Sequence, residues 1–357
     1  MIEGQSTTPP EYEFPWDPSN TSVVILGAGF SCAATDGGTP LMSNFFSGIA
    51  PNHYELLTAF IDDVEGDVET ANVESILTAL DQLRTTPQRA LVGLGQDWGS
   101  QAMAIQEQLT LYILERFKAG ATIQDNWASR ILATCGLKTT VISMNYDNVA
   151  ERILSGRTGI VHAGWGRDTT CPHCKMRLLL NNACSCEPRR EFTEKDWQGS
   201  LLKPHGSIAW RRCLNSSCCS YECLVADAHC RPFEPSKCPN CGSDCAPALV
   251  LPSMNKNLSA TPEIEVMWRA AQCALEDAES VLVFGFSFPS SDALFRHFMR
   301  KAICKSRKLK RLGVIDINPE CVIERVKKCF PSDYDAVFVS YPVVSGRIPP
   351  WIASSEN

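Results

Sequence analysis

"TSVVILGAGFS", residues Thr21–Ser31, runs through four apolar residues, Val23 to Leu26, and then into two glycines separated by one alanine. Val, Val, Ile and Leu without polar alternation form a strand covered on both faces, as in parallel sheets. The same figure recurs downstream. "TTVIS" (Thr139–Ser143), "SVLVFGFS" (Ser280–Ser287), "RLGVIDINP" (Arg311–Pro319) and "DAVFVS" (Asp335–Ser340) all read as short buried strands. Between them lie helical stripes. Val73, Ile76, Leu77, Leu80 and Leu83 share one face, as do Ile105, Leu109, Tyr112, Ile113 and Phe117 within a helix over Gln101–Lys118. Such stripes belong to a core.

Further helices are expected over Tyr146–Leu154, Glu263–Asp277, Asp292–Lys305 and Glu320–Cys329. Strands alternating with helices imply an α/β protein with a doubly wound, parallel, Rossmann-like sheet. Cys171–Cys245 interrupts this alternation. That stretch is loop-rich, carries twelve of the eighteen cysteines and has "LLKPHGSIAW" (Leu201–Trp210) in its middle. It reads as a small Cys-rich zinc-binding module grafted into the sheet. The organisation expected is an arm over 1–20 and one domain over 21–357, with zinc-binding insertions at about 168–190 and 211–247.

Bulk properties narrow the classes. The chain has 357 residues, 44% of them hydrophobic and 20% charged, which suits a globular protein with a full core. A net charge of -7 argues against general nucleic-acid binding. The basic run Arg300–Arg311 reads as a solvated helix end. The Pro-rich, acidic first twenty residues have no apolar signal core, and no run is long enough to span a membrane. A cytoplasmic location with reduced thiols follows as the expectation.

Reduced, clustered cysteines point to metal. Cys171, Cys174, Cys184 and Cys186 form one compact set; Cys213, Cys218, Cys238 and Cys241 form a second, ribbon-like set. Four thiolates close a tetrahedral shell, so two structural zinc ions are expected. Cys219, Cys223, Cys230 and Cys245 are alternative ligands or members of a third site.

The chemistry gathers at strand ends. Gly27 and Gly29 allow backbone amides to approach a pyrophosphate, although Cys32 stands where a full dinucleotide fingerprint has its third glycine. A tight turn is the plainer reading. "VISMNYDNVAERIL" (Val141–Leu154) ends a strand on Asn145 and Asp147, residues suited both to capping a helix and to holding a ligand. Gly285, Ser287 and Asp292 form a second small-residue turn, and Asp316 and Asn318 a third polar edge able to reach a ribose. His205, followed by Gly206 and Ser207, is placed to take a proton from a sugar hydroxyl or from water near neutral pH.

"LGAGFS", "SMNYDN", "KPHGS", a Cys-rich insertion, "GFSFPSSD" and "DINP", in this order over residues 22–330, resemble the sirtuin-like family. "MNYDNVAERIL" followed by "LLKPHGSIAW" is similar to its bacterial branch, whose characterised members are mostly NAD-consuming anti-phage effectors. The resemblance implies that Asn145 and His205 are the catalytic pair, with Asp147 supporting the ribose. Gly27, Ala28, Gly29, Phe30 and Ser31 would line the phosphate and ribose end of NAD, and Gly285, Ser287, Asp292 and Asn318 would hold the far nucleotide half. It further implies cleavage of NAD+ to nicotinamide and ADP-ribose in a cytoplasmic defence effector. Its partners would be further copies of the chain or a nuclease, ATPase or Argonaute-like protein.

The chain departs from the family's protein deacylases. "GGTPLMSNF" (Gly37–Phe45) lacks their Asp-Phe-Arg triplet, a cysteine cluster precedes the histidine, and "ALVLPS" (Ala248–Ser253) replaces their Phe-Gly-Glu segment. NAD-dependent deacylation, cyclisation of ADP-ribose and a non-catalytic NAD- or ADP-ribose-sensing subunit stay open at this point.

Overall fold

A computed structural model of the protein describes residues 21–85, 98–118, 121–135, 138–154, 201–218, 225–226, 237–238, 241–249, 262–289 and 292–343. The first zinc set, Cys171 to Cys186, the 168–190 insertion and the 1–20 arm lie outside these residues.

The first strand, β1 (Ser22–Leu26), is buried at every position and leads into α1 (Ala28–Ala34). A 3₁₀ turn (Met42–Asn44) and three helices follow: α2 (Glu55–Glu65), α3 (Val73–Thr85) and α4 (Trp98–Lys118). Then come α5 (Trp127–Ala133), β2 (Thr139–Ser143), α6 (Val149–Leu154), β3 (Leu201–Leu202), β4 (Gly206–Cys213), β5 (Val225–Ala226) and β6 (Cys245–Leu249). The chain closes with α7 (Pro262–Asp277), β7 (Ser280–Phe284), α8 (Ala293–Ser306), β8 (Arg311–Asp316), α9 (Pro319–Lys327) and β9 (Val337–Pro342).

Six strands form one sheet in the order β3-β2-β1-β7-β8-β9, and every pairing is parallel. The expected doubly wound α/β fold is therefore present. Its order reverses between β1 and β7. Sheets of this kind open a crevice at such a point, beyond the strands' carboxyl ends. The apolar strand runs fill the core with α1, α5, α7 and α8, and no described helix is long and apolar enough to cross a membrane.

Two features differ from the sequence expectation. Leu201–Leu202 pairs with Val141–Ile142 as the edge of the main sheet, a strand not expected from the sequence. Helix α6 begins at Val149 rather than Tyr146, because the Asp147 carboxylate accepts the Val149 amide at 3.0 Å and residues 146–148 form the turn. The other helix bounds, and the last strand, differ by up to three residues.

The helices between α1 and α5 have a core of their own. Phe45, Phe46, Leu57, Phe60, Ile76, Leu80, Ile105 and Ile113 are buried there. Tyr112 stacks on Phe46 with ring centroids 5.7 Å apart and donates to the Phe45 carbonyl. Both predicted stripes are therefore core. Val73, Ile113 and Phe117 have a second duty, since they also wall the cavity described below.

The glycines at the switch point serve close backbone contact. Gly285 has φ +62°, and a Cβ there would lie 2.3 Å from the Phe30 amide nitrogen. A Cβ on Gly27 would lie 2.4 Å from the Gly285 carbonyl, and the Gly29 amide donates to that same carbonyl at 3.0 Å. The two strand-end turns are pressed together. Gly285→Ala should cost about 1–3 kcal/mol from its left-handed backbone alone, with more from the clash. Urea denaturation should report the loss as a lower midpoint.

Candidate active site

A cavity opens beyond the strand ends, lined on the sheet side by Ala28, Met144, Asn145, Tyr146, Asp147, His205, Gly285, Phe286, Ser287, Pro289 and Asp292. Pro40, Met42, Phe45, Val73, Glu74, Ile113 and Phe117 close it from the helical side. The structure thus brings together Asn145, Asp147, His205, Ala28, Gly285, Ser287 and Asp292 from the predicted set.

Other predicted residues stand elsewhere. Phe30 is fully buried, with its ring edge-on to Phe284 at 5.1 Å, so it is core. The amides of Gly27, Gly29 and Phe30 donate within the protein, to Phe284, Gly285 and Gly27 carbonyls, each at 3.0 Å. The tight-turn reading of the glycines accounts for those three amides. Asn318 is exposed at the start of α9, beyond β8, and is not part of the cavity wall.

Asn145 is held firmly. Its Nδ2 donates to the Gly27 carbonyl at 2.8 Å and to Ser31 Oγ at 2.9 Å. A carbonyl can only accept, so this contact identifies the nitrogen and leaves Oδ1 as the acceptor end of the amide. Ser31 therefore positions Asn145 rather than facing a ligand itself. Asp147 is 6% exposed and serves as the cap of α6. Burial pushes its carboxyl above the usual carboxylate range, while the Lys203 charge, the Val149 amide and the Ser31 hydroxyl pull it back.

His205 sits in a turn clamped from three sides. Its Nδ1 lies 3.2 Å from the Met144 carbonyl, which requires that nitrogen to carry a proton. The Trp268 indole donates to the Pro204 carbonyl at 3.0 Å, and the Ile208 amide donates to the Tyr146 carbonyl at 2.8 Å. Gly206 has φ +81°, and a Cβ there would meet the Ala248 carbonyl at 2.2 Å, so glycine is required. The Tyr146 ring stacks on the imidazole with centroids 6.0 Å apart. Burial, with the nearby charges of Asp292 and Glu74, holds the Tyr146 hydroxyl well above the ordinary phenol value.

Beneath this turn lies a group that motif reading missed. Lys203 is 0% exposed, and its ammonium donates to Glu151 Oε1 at 2.7 Å, to Ser207 Oγ at 3.2 Å and to the Asp147 carbonyl. Three donors meet three acceptors. Ser207 also donates to Glu151 Oε1 at 2.6 Å, and Glu151 is itself fully buried. The available signal was a lysine and a glutamate set among apolar residues, "LLKP" and "NVAERIL".

The second cysteine set assembles as expected from spacing. Sγ atoms of Cys213, Cys218, Cys238 and Cys241 all lie within 4.8 Å of one another. Cys213 to Cys241 is 3.5 Å and Cys218 to Cys238 is 3.8 Å. Four sulfurs at ~2.3 Å from one zinc ion stand about 3.8 Å apart, so the residues fit the ion. Cys245 starts β6 and is not one of the four. With β5 and β6, β4 forms a three-stranded antiparallel sheet that runs from Gly206 beside the cavity to Cys213 in the cluster. Gly206 pairs with Leu249 and Cys213 with Cys245, with β4 bulged between Ser207 and Arg211, so the cluster stands at the opposite end of this small sheet from His205.

Four of the seven basic residues in Arg300–Arg311 are paired with carboxylates. Lys305, Lys308, Lys310 and Arg307 pair with Glu276, Asp277, Glu279 and Asp333.

Two expectations follow. Lys203→Met leaves Glu151 charged and uncompensated, and should destabilise the protein by about 3–5 kcal/mol. Pairing it with Glu151→Leu should recover much of that loss in chemical denaturation. Cys238→Ser should lower the zinc content measured by elemental analysis by one equivalent per chain. Its thermal transition should also fall.

No protein-family model matches the chain. No curated protein matches it either. Among solved structures, a Sir2 protein in complex with an inhibitor, 2′-O-acetyl-ADP-ribose and a deacetylated peptide aligns at a TM-score of 0.37 and 13% identity, covering 89% of this chain and 86% of that one. A sirtuin from work on the structural basis of substrate affinity aligns at a TM-score of 0.31 and 13% identity, covering 89% and 86%. Both alignments are distant and extend over most of the chain.

Proposed function

We propose that the chain is an NAD+ glycohydrolase, cleaving the bond between ribose and nicotinamide to give ADP-ribose. The observation that carries this reading is the convergence of Asn145 and His205 on one cavity at the sheet's switch point. The order of the "NYD" and "HGS" motifs supports it. NAD+ supplies a leaving group that departs neutral from a cationic ring, so the site needs little acid help.

What the site must supply is orientation and a proton acceptor. The Asn145 amide, locked through Nδ2, offers Oδ1 to a ribose hydroxyl or to the attacking water. His205, with Nδ1 protonated against the Met144 carbonyl, offers Nε2 to take a proton from either. Phe45, Phe117 and Tyr146 supply aromatic walls, and Glu74 supplies negative charge suited to a cationic ring. Apart from Glu74, the helical side of the cavity is lined by apolar side chains, which limits access of bulk water to the reacting bond. The biological role that suits such an enzyme is regulated NAD depletion in anti-phage defence, controlled by assembly or by a partner protein.

The test is incubation of the purified protein with NAD+, following nicotinamide and ADP-ribose. Release should be lost in Asn145→Ala and fall by about 10²–10⁴-fold in His205→Ala. A loss of under tenfold in His205→Ala would remove that residue from the chemistry. O-acyl-ADP-ribose formed only with an acylated peptide would replace hydrolysis with deacylation. Tight NAD binding without turnover in any assembly state would make the chain a sensor.

A further inference from the structure

Asp292 is grouped above with residues that hold the nucleotide, yet its surroundings assign it other work. It stands at the N-cap position of α8, where an aspartate ordinarily accepts amide hydrogens of the first turn. Here its side chain makes no capping hydrogen bond. The residue is 4% exposed, and its Oδ1 lies 3.4 Å from His205 Nε2. A buried carboxylate has therefore turned away from its own helix toward the imidazole.

The two ring nitrogens of His205 then face two acceptors. Nδ1 meets the Met144 carbonyl, so it carries a proton. Nε2 meets a carboxylate. With one proton on the ring, a lone pair faces a negative oxygen, and 3.4 Å is longer than a charge-assisted hydrogen bond, ~2.7–2.9 Å. A second proton turns this opposition into an ion pair.

We propose that Asp292 is a positioning residue that acts through His205, fixing its ring and stabilising the charge it takes up, and does not hold the nucleotide. The step balances simply. The O–H bond of a ribose hydroxyl or water breaks, an N–H bond forms at Nε2, and the positive charge on the ring is matched by the Asp292 carboxylate. This rests on the reading of His205 as proton acceptor. The ring's dependence on Asp292 is, however, measurable without any substrate.

Other charged groups near the ring are Glu74 and Asp147 in the same cavity wall and Lys203 two residues back, bonded to Glu151. Tyr146 and Trp268 flank it as rings. All of these persist in Asp292→Asn, so that variant isolates one charge. Asp292→Ser also removes the charge while supplying a capping hydroxyl, which holds α8 should the Asn variant fold poorly.

The first measurement is the NMR titration of the His205 ring in the ligand-free full chain, assigned by loss of its signal in His205→Gln. The midpoint should fall by about one pH unit or more in Asp292→Asn and Asp292→Ser. The second is steady-state NAD+ cleavage near neutral pH, where kcat should fall about tenfold or more with little change in KM, and Asp292→Glu should recover part of it. An unchanged midpoint overturns the proposal. So does a raised KM with normal kcat, which would return Asp292 to the nucleotide. If the wild-type chain cleaves no NAD+, the hydrolase reading fails while the titration still decides the pairing.

Discussion

The arrangement of the site depends on one buried ammonium group. Lys203 joins the Asp147 carbonyl after β2, the Glu151 carboxylate in α6 and the Ser207 hydroxyl at the start of β4. Removing a charge from water costs several kcal/mol, and it is tolerated here because each N–H has an acceptor and the charge has a counter-ion. An apolar substitute of the same volume could fill the space. It could not hold three separate segments at one point, and those segments carry Asn145, Asp147 and His205. The ion pair is better understood as fixing geometry than as adding net stability.

That geometry explains why Asn145 and Asp147 sit two residues apart. Asp147 serves as the helix cap, its carboxylate on the Val149 amide. Asn145 is free of capping duty and is anchored to β1 through the Gly27 carbonyl and Ser31.

The sheet and most helices were legible because uninterrupted apolar runs and 3.6-residue stripes follow directly from burial. The four cysteines of the second zinc set were legible because a tetrahedral shell constrains ligand spacing. The register of Leu201–Leu202 was not. Two residues carry no periodicity, and their pairing with β2 is decided by tertiary contacts from Lys203, Pro204 and Trp268. The helical wall of the cavity was hidden for a related reason. Val73, Ile113 and Phe117 read as core, and a core stripe does not reveal that its end stands over a crevice. The orientation of Asp292 was equally invisible, because an aspartate before a helix looks like an ordinary cap until its side chain is seen elsewhere.

The metal cluster and the cavity are connected by a strand. Cys213 lies at one end of β4 and Gly206 at the other, so zinc bound by the four thiolates would anchor the far end of the segment that begins at His205. The near end is held independently by Lys203 and by the Ile208 amide on Tyr146. A histidine followed by a left-handed glycine would be loosely placed if only one end were fixed. With both ends fixed, the ring's remaining freedom is rotation about its own side-chain bonds, and the Met144 carbonyl and Asp292 restrain that rotation from opposite edges. Zinc bound at the four thiolates would therefore bear on the placement of the His205 ring from the far end of the strand.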